Sequence, residues 1–447
     1  MVSETLTNYE RIRLENIKRN KEMMANLEVH SKVLQLSSHR LKKKFIKRDY
    51  FQANNSVVRK SLRSQGLPPP VCETAKTIIQ PEISPKEIVP LTMQDAYVGN
   101  SSDRPLIDAI INISDKALVA EREVTRNDQS LDVKSMVLKP ENVSVAMRNN
   151  VMNMMFFPSP NRRVIIAGFQ LGNIGFWDTD CEDQDSGGIY LYQPHRQIIS
   201  GISVQPFSLS KVYSSCYGGL IRLMDVGREY FDLVYSTDDS IFCLSQRTQE
   251  AESLYFAEGR GLLNVCDIRV GKCSNSWMLQ NERINTIDFN PESSNLMATG
   301  SSDGTVCIWD LRNMNSHTPK YLNRVAYETP VRSAYFSSSG RFLATTQRNA
   351  EVGILAGGDY VDISAIYRPR KKAICEPQFR AIWGWDDSYL FIGNVENGVD
   401  VISTIDRNVA TLNSSLMSAV AVRLAVHPYK VGTLAGATRY GRIFMWK

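Results

Sequence analysis

The sequence predicts an all-β fold, a closed β-propeller of seven blades preceded by a basic, partly helical N-terminal extension. The clearest observation is the stretch LMATGSSDGTVCIWDLR at residues 296–312, where a strand, a Gly-containing turn and a second alternating strand form a β-hairpin. Weaker copies of this hairpin recur along the chain, and each follows an entering strand of the form apolar-x-x-apolar-x-apolar. Units that cannot bury their faces alone must stack on one another, as the blades of a propeller do.

The repeats have nearly constant spacing, and that spacing is the length of a four-stranded blade. The strand that carries Trp309 and Asp310 ends in the Trp-Asp dipeptide that is typical of a WD-type blade. Equivalent strands lie 42–48 residues apart and end at Asp178, Asp225, Asp267, Asp310, Leu355, Ser403 and Trp446. Seven units of this kind suit a closed ring.

The last repeat ends after its third strand, so its blade needs a fourth strand from elsewhere in the chain. We expect an upstream segment, Val133–Leu138 or Val143–Met147, to supply it, because a shared blade closes the ring and covers a bare sheet edge. The predicted domains are the basic extension with a helix at 1–65, a Pro-containing linker at 66–130 and the WD40 propeller at 131–447. We expect the linker to be poorly ordered or laid over the propeller.

Composition limits the class of protein. The chain has 447 residues, of which 43% are hydrophobic, enough for a sizeable core, and it has no apolar stretch of membrane-spanning length. Its first thirty residues are charged and lack an apolar signal core, which argues against secretion. The eight cysteines are scattered without a C-x-x-C pair. Reduced thiols in an intracellular protein are therefore expected.

The positive charge is concentrated in the N-terminal extension. Residues 1–65 hold 15 Lys and Arg against 6 Asp and Glu, and because the whole chain carries +5, the remainder is net negative. Tyr9–Leu27 has the composition of a helix, which is either solvated or docked on a partner. The basic runs Arg40–Arg48 and Arg59–Arg63 are typical of nuclear-localisation or phosphate-contacting segments, with a merely soluble tail as the alternative. The sequence thus favours a nuclear protein.

Several phrases of the sequence resemble a known family. The opening YERIRLENIKRNKEMMANL, the later RKSLRSQGLPP, the pair LKPENV and GNIGFWD, and the stretch FRAIWGWDDSYLFIGN look like the WD repeat-containing protein 76 family, which is kin to damaged-DNA-binding protein 2, and like a plant member of it. The resemblance covers the extension and the propeller, and departs from the family pattern at 145–150, 348–355 and 367–377. It implies a nuclear DNA-binding propeller connected with DNA damage and genome maintenance.

The predicted top face carries a basic cluster. We define the top face by the loops that enter the first strand of each blade and by the turns that join second to third strands. The bottom face is defined by the turns that join first to second strands and third to fourth strands. Alignment of the entering strands gives one equivalent position to Met152, Ser200, Ser240, Asn285, Arg332, Arg380 and Arg423. The candidate DNA-binding residues are Arg260, Arg332, Arg348, Arg368, Arg370, Lys371, Lys372, Arg380, Arg423 and Arg439. A one-sided cluster over blades five to seven is the footprint expected of a phosphate-backbone binder, although single arginines of this kind also pair with carboxylates or pack between blades.

The predicted bottom face carries a second candidate site. Trp309-Asp310-Leu311-Arg312 looks like the motif by which propellers dock on damaged-DNA-binding protein 1, the adaptor of the cullin-4 ubiquitin ligase, and Asp267 and Arg269 form a partial copy. Exposed arginines at strand ends can bind a partner's carboxylates or carbonyls. The alternative is that Asp-x-Arg is only an internal hydrogen-bonded unit of the blade.

The motifs of an enzyme are missing from the sequence. Gly300–Gly304 matches G-x-S-x-G, but it joins two strands, whereas a nucleophile elbow joins a strand to a helix. The five histidines show no metal-ligand spacing, and no cofactor or metal is expected. We therefore predict a non-catalytic nuclear protein that binds double-stranded DNA, damaged or modified, through its top face. A ligase substrate receptor, and a protein-only scaffold or histone reader, are the alternatives.

Overall fold

The computed structural model describes residues 15–19, 22, 91–99, 101–120, 132–181, 187–270, 272–314, 319–368 and 378–447. The chain divides into two compact units, Met1–Ile83 and Ser84–Lys447. In the first unit the described residues 15–19 and 22 are helical; the rest of the predicted helix and both basic runs lie outside the described residues. None of the described helices is long and apolar enough to cross a bilayer.

The second unit is a seven-bladed β-propeller, as the repeats predict, because its strands form seven antiparallel sheets. Ahead of the blades come β1 (Leu91–Thr92), α1 (Met93–Ala96), α2 (Arg104–Ala120), a 3₁₀ turn (Val133–Ser135) and β2 (Leu138–Val145). Blade 1 is β3–β6 (Val151–Phe156, Val164–Phe169, Ile174–Asp178, Ile189–Tyr192) and blade 2 is β7–β10 (Ile199–Val204, Lys211–Cys216, Leu220–Asp225, Tyr230–Ser236). Blade 3 is β11–β14 (Ile241–Arg247, Glu250–Glu258, Leu262–Asp267, Lys272–Met278).

The remaining blades follow in the same order. Blade 4 is β15–β18 (Ile284–Phe289, Leu296–Ser301, Thr305–Asp310, Asn323–Ala326), with a 3₁₀ turn at Leu311–Asn313. Blade 5 is β19–β22 (Val331–Phe336, Leu343–Gln347, Val352–Ala356, Asp362–Tyr367) and blade 6 is β23–β26 (Ile382–Trp383, Tyr389–Gly393, Val399–Ser403, Val409–Leu412). Blade 7 contains β27–β29 (Ala421–Val426, Leu434–Thr438, Arg442–Trp446).

The outer strand of blade 7 comes from the upstream part of the chain. Strand β2 pairs antiparallel with β29, with Leu138 opposite Trp446 and Val145 opposite Arg442. Leu138 and Trp446 are both buried, in one apolar cluster with Phe391 and Phe444. This pairing joins the two ends of the blade series and covers the edge that β29 would otherwise expose.

Part of the range predicted as a linker is folded against blades 1 and 2. Strand β1 adds a fifth strand to blade 2 by pairing with β10. Helix α2 buries Leu106, Ile107 and Ile110, each 2% exposed or less, in a cluster that includes Phe231. The apolar spacing of these helix residues is that of an amphipathic helix, which the sequence analysis did not single out. This part of the range thus lies over the propeller, which is one of the two arrangements expected for it, and it does so as regular secondary structure.

The cysteines also differ from expectation at one place. Cys266 and Cys273 are opposite each other on β13 and β14 and are joined by a disulfide. The two residues are seven positions apart, and the tight turn between their strands brings them into register. Cys181, Cys216, Cys243 and Cys307 have reduced thiols, and burial raises the pKa of the Cys243 thiol to about 12.

A buried histidine links blades 1 and 2. His195 lies in the loop between them, is 2% exposed, and has its Nε2 atom 2.8 Å from the Ser214 hydroxyl on β8. Burial, and next the nearby Arg222 guanidinium, lower the pKa of His195 to about 3. The fold therefore requires a neutral imidazole at this position, and excludes the proton that the unfolded chain binds near its ordinary pKa.

Replacing Leu106 with Ala should lower the free energy of unfolding by about 2–5 kcal/mol, because the side chain is fully buried against blades 1 and 2. Chemical denaturation measures the change. Asp108→Ala, on the exposed side of the same helix, is the matched control and should be close to neutral. Equal effects of the two substitutions would show that α2 does not contribute to the stability of the propeller.

Wild-type stability should decrease as the pH falls from 6.5 towards 3, because the unfolded chain gains a proton on His195 that the folded chain excludes. His195→Gln should reduce that slope by up to about 1.4 kcal/mol per pH unit. Urea denaturation across this pH range measures the slope, and data at pH 8 isolate the packing cost of the substitution. A slope in His195→Gln equal to that of the wild type would contradict the conclusion that folding excludes a proton from His195.

Candidate nucleic-acid interface

Six of the seven entering strands carry a β-bulge at their top end, and the bulge determines which side chains reach the rim of the channel. The pairing register shifts between the first and third residues of β3, β7, β11, β15, β19 and β27. The residues at the shift are Met152, Ser200, Phe242, Asn285, Arg332 and Val422. The sequence alignment is therefore wrong at two blades: Phe242 takes the position given to Ser240, and Val422 the position given to Arg423. The alignment is two residues early in blade 3 and one residue late in blade 7, because a hydrophobic pattern does not locate the first residue of a strand.

Four arginines surround a cavity of about 510 Å³ on the top face of blades 3 to 5. Three of them, Arg260, Arg332 and Arg348, are among the residues that the sequence singles out, and Arg283 is added by the structure. Asp239 and Glu282 also line the cavity, so arginines outnumber carboxylates in its wall. The cavity is thus a concave, predominantly cationic surface.

The turn of blade 3 shows how the backbone places one of these arginines. Arg260 is exposed between Gly259 and Gly261, in the turn from β12 to β13. Gly261 has φ of +75°, and a Cβ there would lie 1.9 Å from the Gln280 carbonyl oxygen. Only glycine fits this position, so the turn is tight and Arg260 projects from its tip. Arg348 is likewise exposed, in the equivalent turn of blade 5.

An aromatic pair forms part of the same surface. The rings of Tyr217 and Phe242 pack edge to face with centroids 5.3 Å apart, and the Arg283 guanidinium lies 5.3 Å from the Phe242 centroid. Arg283 also donates to the Ser302 hydroxyl over 3.0 Å. These contacts hold a cation over an aromatic ring, which is a cation–π arrangement. Sequence reasoning missed Phe242 because the alignment was two residues early in blade 3. It missed Arg283 because this residue precedes its strand and acts through packing on Phe242.

Arg380 and Arg423 lie deeper than the rim. Arg423 is 7% exposed, and donates to the carbonyl oxygens of Met152 (2.6 Å), Gln378 (2.5 Å) and Val422 (2.9 Å). Arg380 donates to the Tyr335 hydroxyl and the Asn285 carbonyl oxygen, both over 3.4 Å. The structure thus places these two predicted site residues inside the channel mouth, out of reach of the backbone of a duplex on the rim.

The two other described basic residues of the prediction, Arg368 and Arg439, lie apart from the cavity. Arg439 is exposed in the turn from β28 to β29, beside Tyr440, which is 74% exposed. Arg368 is 74% exposed and pairs with Glu351 over 3.2 Å. Arg370, Lys371 and Lys372 lie outside the described residues. Tyr367, next to Arg368, donates its hydroxyl to Asp400 over 2.6 Å.

The bottom-face arginines are exposed, and carboxylates of their own blades orient them. The Arg312 side chain is 69% exposed and pairs with Asp310, which is 8% exposed, over 2.8 Å. Arg269 is 64% exposed and pairs with both Asp267 and Glu252. The hydrogen bond from Arg312 is the main cause that holds the pKa of Asp310 below its usual range. The Asp310–Arg312 unit thus forms an internal hydrogen bond and also presents an outward-facing guanidinium.

Comparison with known proteins agrees with this architecture. The family model "WD domain, G-beta repeat" matches residues 271–310. WD repeat-containing protein 76 of Xenopus laevis is 26% identical over 76% of this chain and 62% of its own length. DNA damage-binding protein CMR1 of Coccidioides immitis is 24% identical over 69% of this chain and 66% of its own length. The chain thus spans a little under two thirds of the length of these two relatives.

A mammalian relative matches nearly all of the chain. WD repeat-containing protein 76 of Mus musculus is 24% identical over 99% of this chain and 74% of its own length. The match therefore includes the basic extension as well as the blades. With the seven sheets and the matched repeat, these similarities confirm that the chain is a WD40-repeat β-propeller that resembles the WD repeat-containing protein 76 family.

Proposed function

We propose that this protein binds double-stranded DNA through the top face of blades 3 to 5 and serves the DNA damage response in the nucleus. The observation that carries the proposal is the cavity lined by Arg260, Arg283, Arg332 and Arg348. Arginines can bind phosphate oxygens with two parallel hydrogen bonds, and phosphate contacts supply most of the affinity of sequence-independent DNA binding. The names of relatives, which include DNA damage-binding protein CMR1, also support DNA as the partner.

The arginines of this face have different roles in the proposal. Arg260 and Arg348 are exposed at the tips of turns and contact the phosphate backbone directly. Arg283 is held over Phe242, so its guanidinium is oriented before DNA arrives and loses less rotational freedom on binding. Arg439 and Tyr440 on blade 7 extend the contact to the opposite side of the channel.

The charge of the cavity favours DNA over a histone tail. A tail rich in Lys and Arg needs carboxylates that outnumber the cations of its binding site, whereas Asp239 and Glu282 face four arginines here. Like charges at short distance would weaken such a complex. The extension, with 15 Lys and Arg against 6 Asp and Glu in residues 1–65, adds sequence-independent affinity and nuclear retention to the proposal.

A second candidate function is docking on the cullin-4 ligase adaptor through the bottom face. The observation that favours it is that Arg312 and Arg269, on neighbouring blades, both present guanidiniums more than 60% exposed and already oriented by Asp310 and Asp267. Oriented, exposed guanidiniums bind carboxylates or carbonyls of a partner at small entropic cost. Because this surface is opposite the cavity, DNA binding and adaptor docking are compatible.

Replacing Arg260 and Arg348 together with Gln should weaken duplex binding and reduce the slope of log affinity against log salt by about 1.8, since each lost phosphate contact removes about 0.9. Fluorescence anisotropy over a salt series measures both quantities. Arg341→Gln is the control: Arg341 is 75% exposed and pairs with Asp387 on the bottom face. A slope unchanged in the double variant, or reduced equally in the control, would contradict the assignment of the cavity.

Replacing Arg312 and Arg269 together with Gln should abolish co-purification of the adaptor while duplex affinity and melting temperature stay close to wild type. The free energy of unfolding should change little, because surface ion pairs contribute about 0–1 kcal/mol. Arg228→Gln is the matched control, since Arg228 is 64% exposed and pairs with Asp232 on the same face. If the double variant loses stability and the wild type does not bind the adaptor at all, the Asp-x-Arg units are purely structural.

A further inference from the structure

The mouth of the central channel contains an arrangement that the proposed DNA contact does not use. Arg380 from blade 6 and Arg423 from blade 7 point into the channel and meet groups of other blades there: the Met152 carbonyl oxygen of blade 1, the Asn285 carbonyl oxygen of blade 4 and the Tyr335 hydroxyl of blade 5. Two guanidiniums thus converge close to the axis of the ring, and Arg332 lies near them on the rim.

No carboxylate of the described residues balances the positive charge of this pair. Within the described part of the chain, every acceptor that binds Arg380 or Arg423 is a carbonyl or tyrosine hydroxyl oxygen, and no ion pair includes either residue. Burial, and next the proximity of the Arg380 guanidinium, lower the pKa of Arg423 to about 9. Removing two like charges from water without a counter-charge costs free energy, which a bound anion would offset.

Donors remain at this place for an incoming ligand. A guanidinium has five N–H donors, and the hydrogen bonds of Arg423 among the described residues use Nε and Nη1 but not Nη2. Both hydrogen bonds of Arg380 are 3.4 Å long, at the weak end of the normal range, and can be exchanged for better ones. The Arg380 side chain also retains partial exposure to the channel. The site therefore combines buried charge, available donors and an opening.

We propose that the channel mouth binds a single phosphate group between Arg380 and Arg423. A tetrahedral phosphate presents oxygens in several directions, which suits two guanidiniums and a tyrosine hydroxyl converging from different blades, whereas a planar carboxylate presents its two oxygens in a single plane. The internucleotide phosphates of a duplex do not enter a channel between seven blades. The phosphate is thus a free ion or a phosphomonoester at the end of a nucleic-acid strand, and this site is independent of the DNA contact proposed for the rim.

The test uses the full chain without DNA. Thermal melting in millimolar sodium phosphate is compared with sodium chloride of equal ionic strength, and isothermal titration calorimetry gives the affinity and stoichiometry. We expect a saturable stabilisation with one phosphate per chain. Arg380→Gln and Arg423→Gln should each lower phosphate affinity at least tenfold, equivalent to about 1.4 kcal/mol. The control Arg341→Gln removes an exposed bottom-face charge and should leave it unchanged.

Two further arms identify the source of the phosphate. Binding of single-stranded oligonucleotides with a 5′-phosphate is compared with binding of the same oligonucleotides with a 5′-hydroxyl. If the 5′-phosphate is preferred and Arg380→Gln abolishes this preference, the ligand is the end of a strand. If inorganic phosphate binds saturably and the 5′-phosphate is not preferred, the ligand is the free ion. No saturable phosphate effect in wild type, or the same effect in both channel variants, would overturn the proposal. If a variant does not fold, the wild-type titration alone decides. Because none of these outcomes depends on duplex binding, failure here is distinct from failure of the rim assignment.

Discussion

Closure of the ring by the pairing of β2 with β29 is the constraint on which the rest of the structure depends. A blade buries its faces only against its neighbours, so an open series would leave the apolar sides of blades 1 and 7 in water. The contact of Leu138 with the strand of Trp446 joins segments about three hundred residues apart and fixes the angle between all blades. Only in a closed ring do arginines from blades 3, 4 and 5 surround one cavity, and only there do arginines from blades 6 and 7 converge at the axis.

The top face therefore contains two layers of basic residues that differ in solvent exposure. The turn arginines Arg260 and Arg348 are exposed, so salt screens their attraction for phosphate over about 8 Å at physiological ionic strength. In the proposed DNA contact, this attraction acts on a duplex of any sequence. Arg380 and Arg423 lie below them in a poorly solvated channel, where charge interactions are stronger and the cost of an unbalanced cation is higher. The same residue type thus serves a broad, salt-sensitive surface and a narrow, deep site.

The sequence predicted the repeated features well and the single-residue features poorly. Strand spacing and the Trp-Asp turn specify seven blades, because every repeat must bury the same faces, and the missing fourth strand of the last blade pointed to an upstream partner. The first residues of β11 and β27 were not predictable from apolar periodicity, so Phe242 and Val422, rather than Ser240 and Arg423, occupy the bulge positions of these strands. Arg283 was missed because its role arises from packing on Phe242, a contact between blades. Helix α2 was missed because its partner surface, around Phe231, exists only after blades 1 and 2 have formed.

The most direct test of the central claim is ultraviolet cross-linking of the full chain to a duplex, followed by mass spectrometry of the attached peptides. If the top face of blades 3 to 5 binds DNA, cross-links should form at Tyr217 and Phe242 and in the turn that carries Arg260, since these groups line or border the cavity. Cross-links confined to the N-terminal 65 residues or to the bottom face around Arg312 would contradict the account.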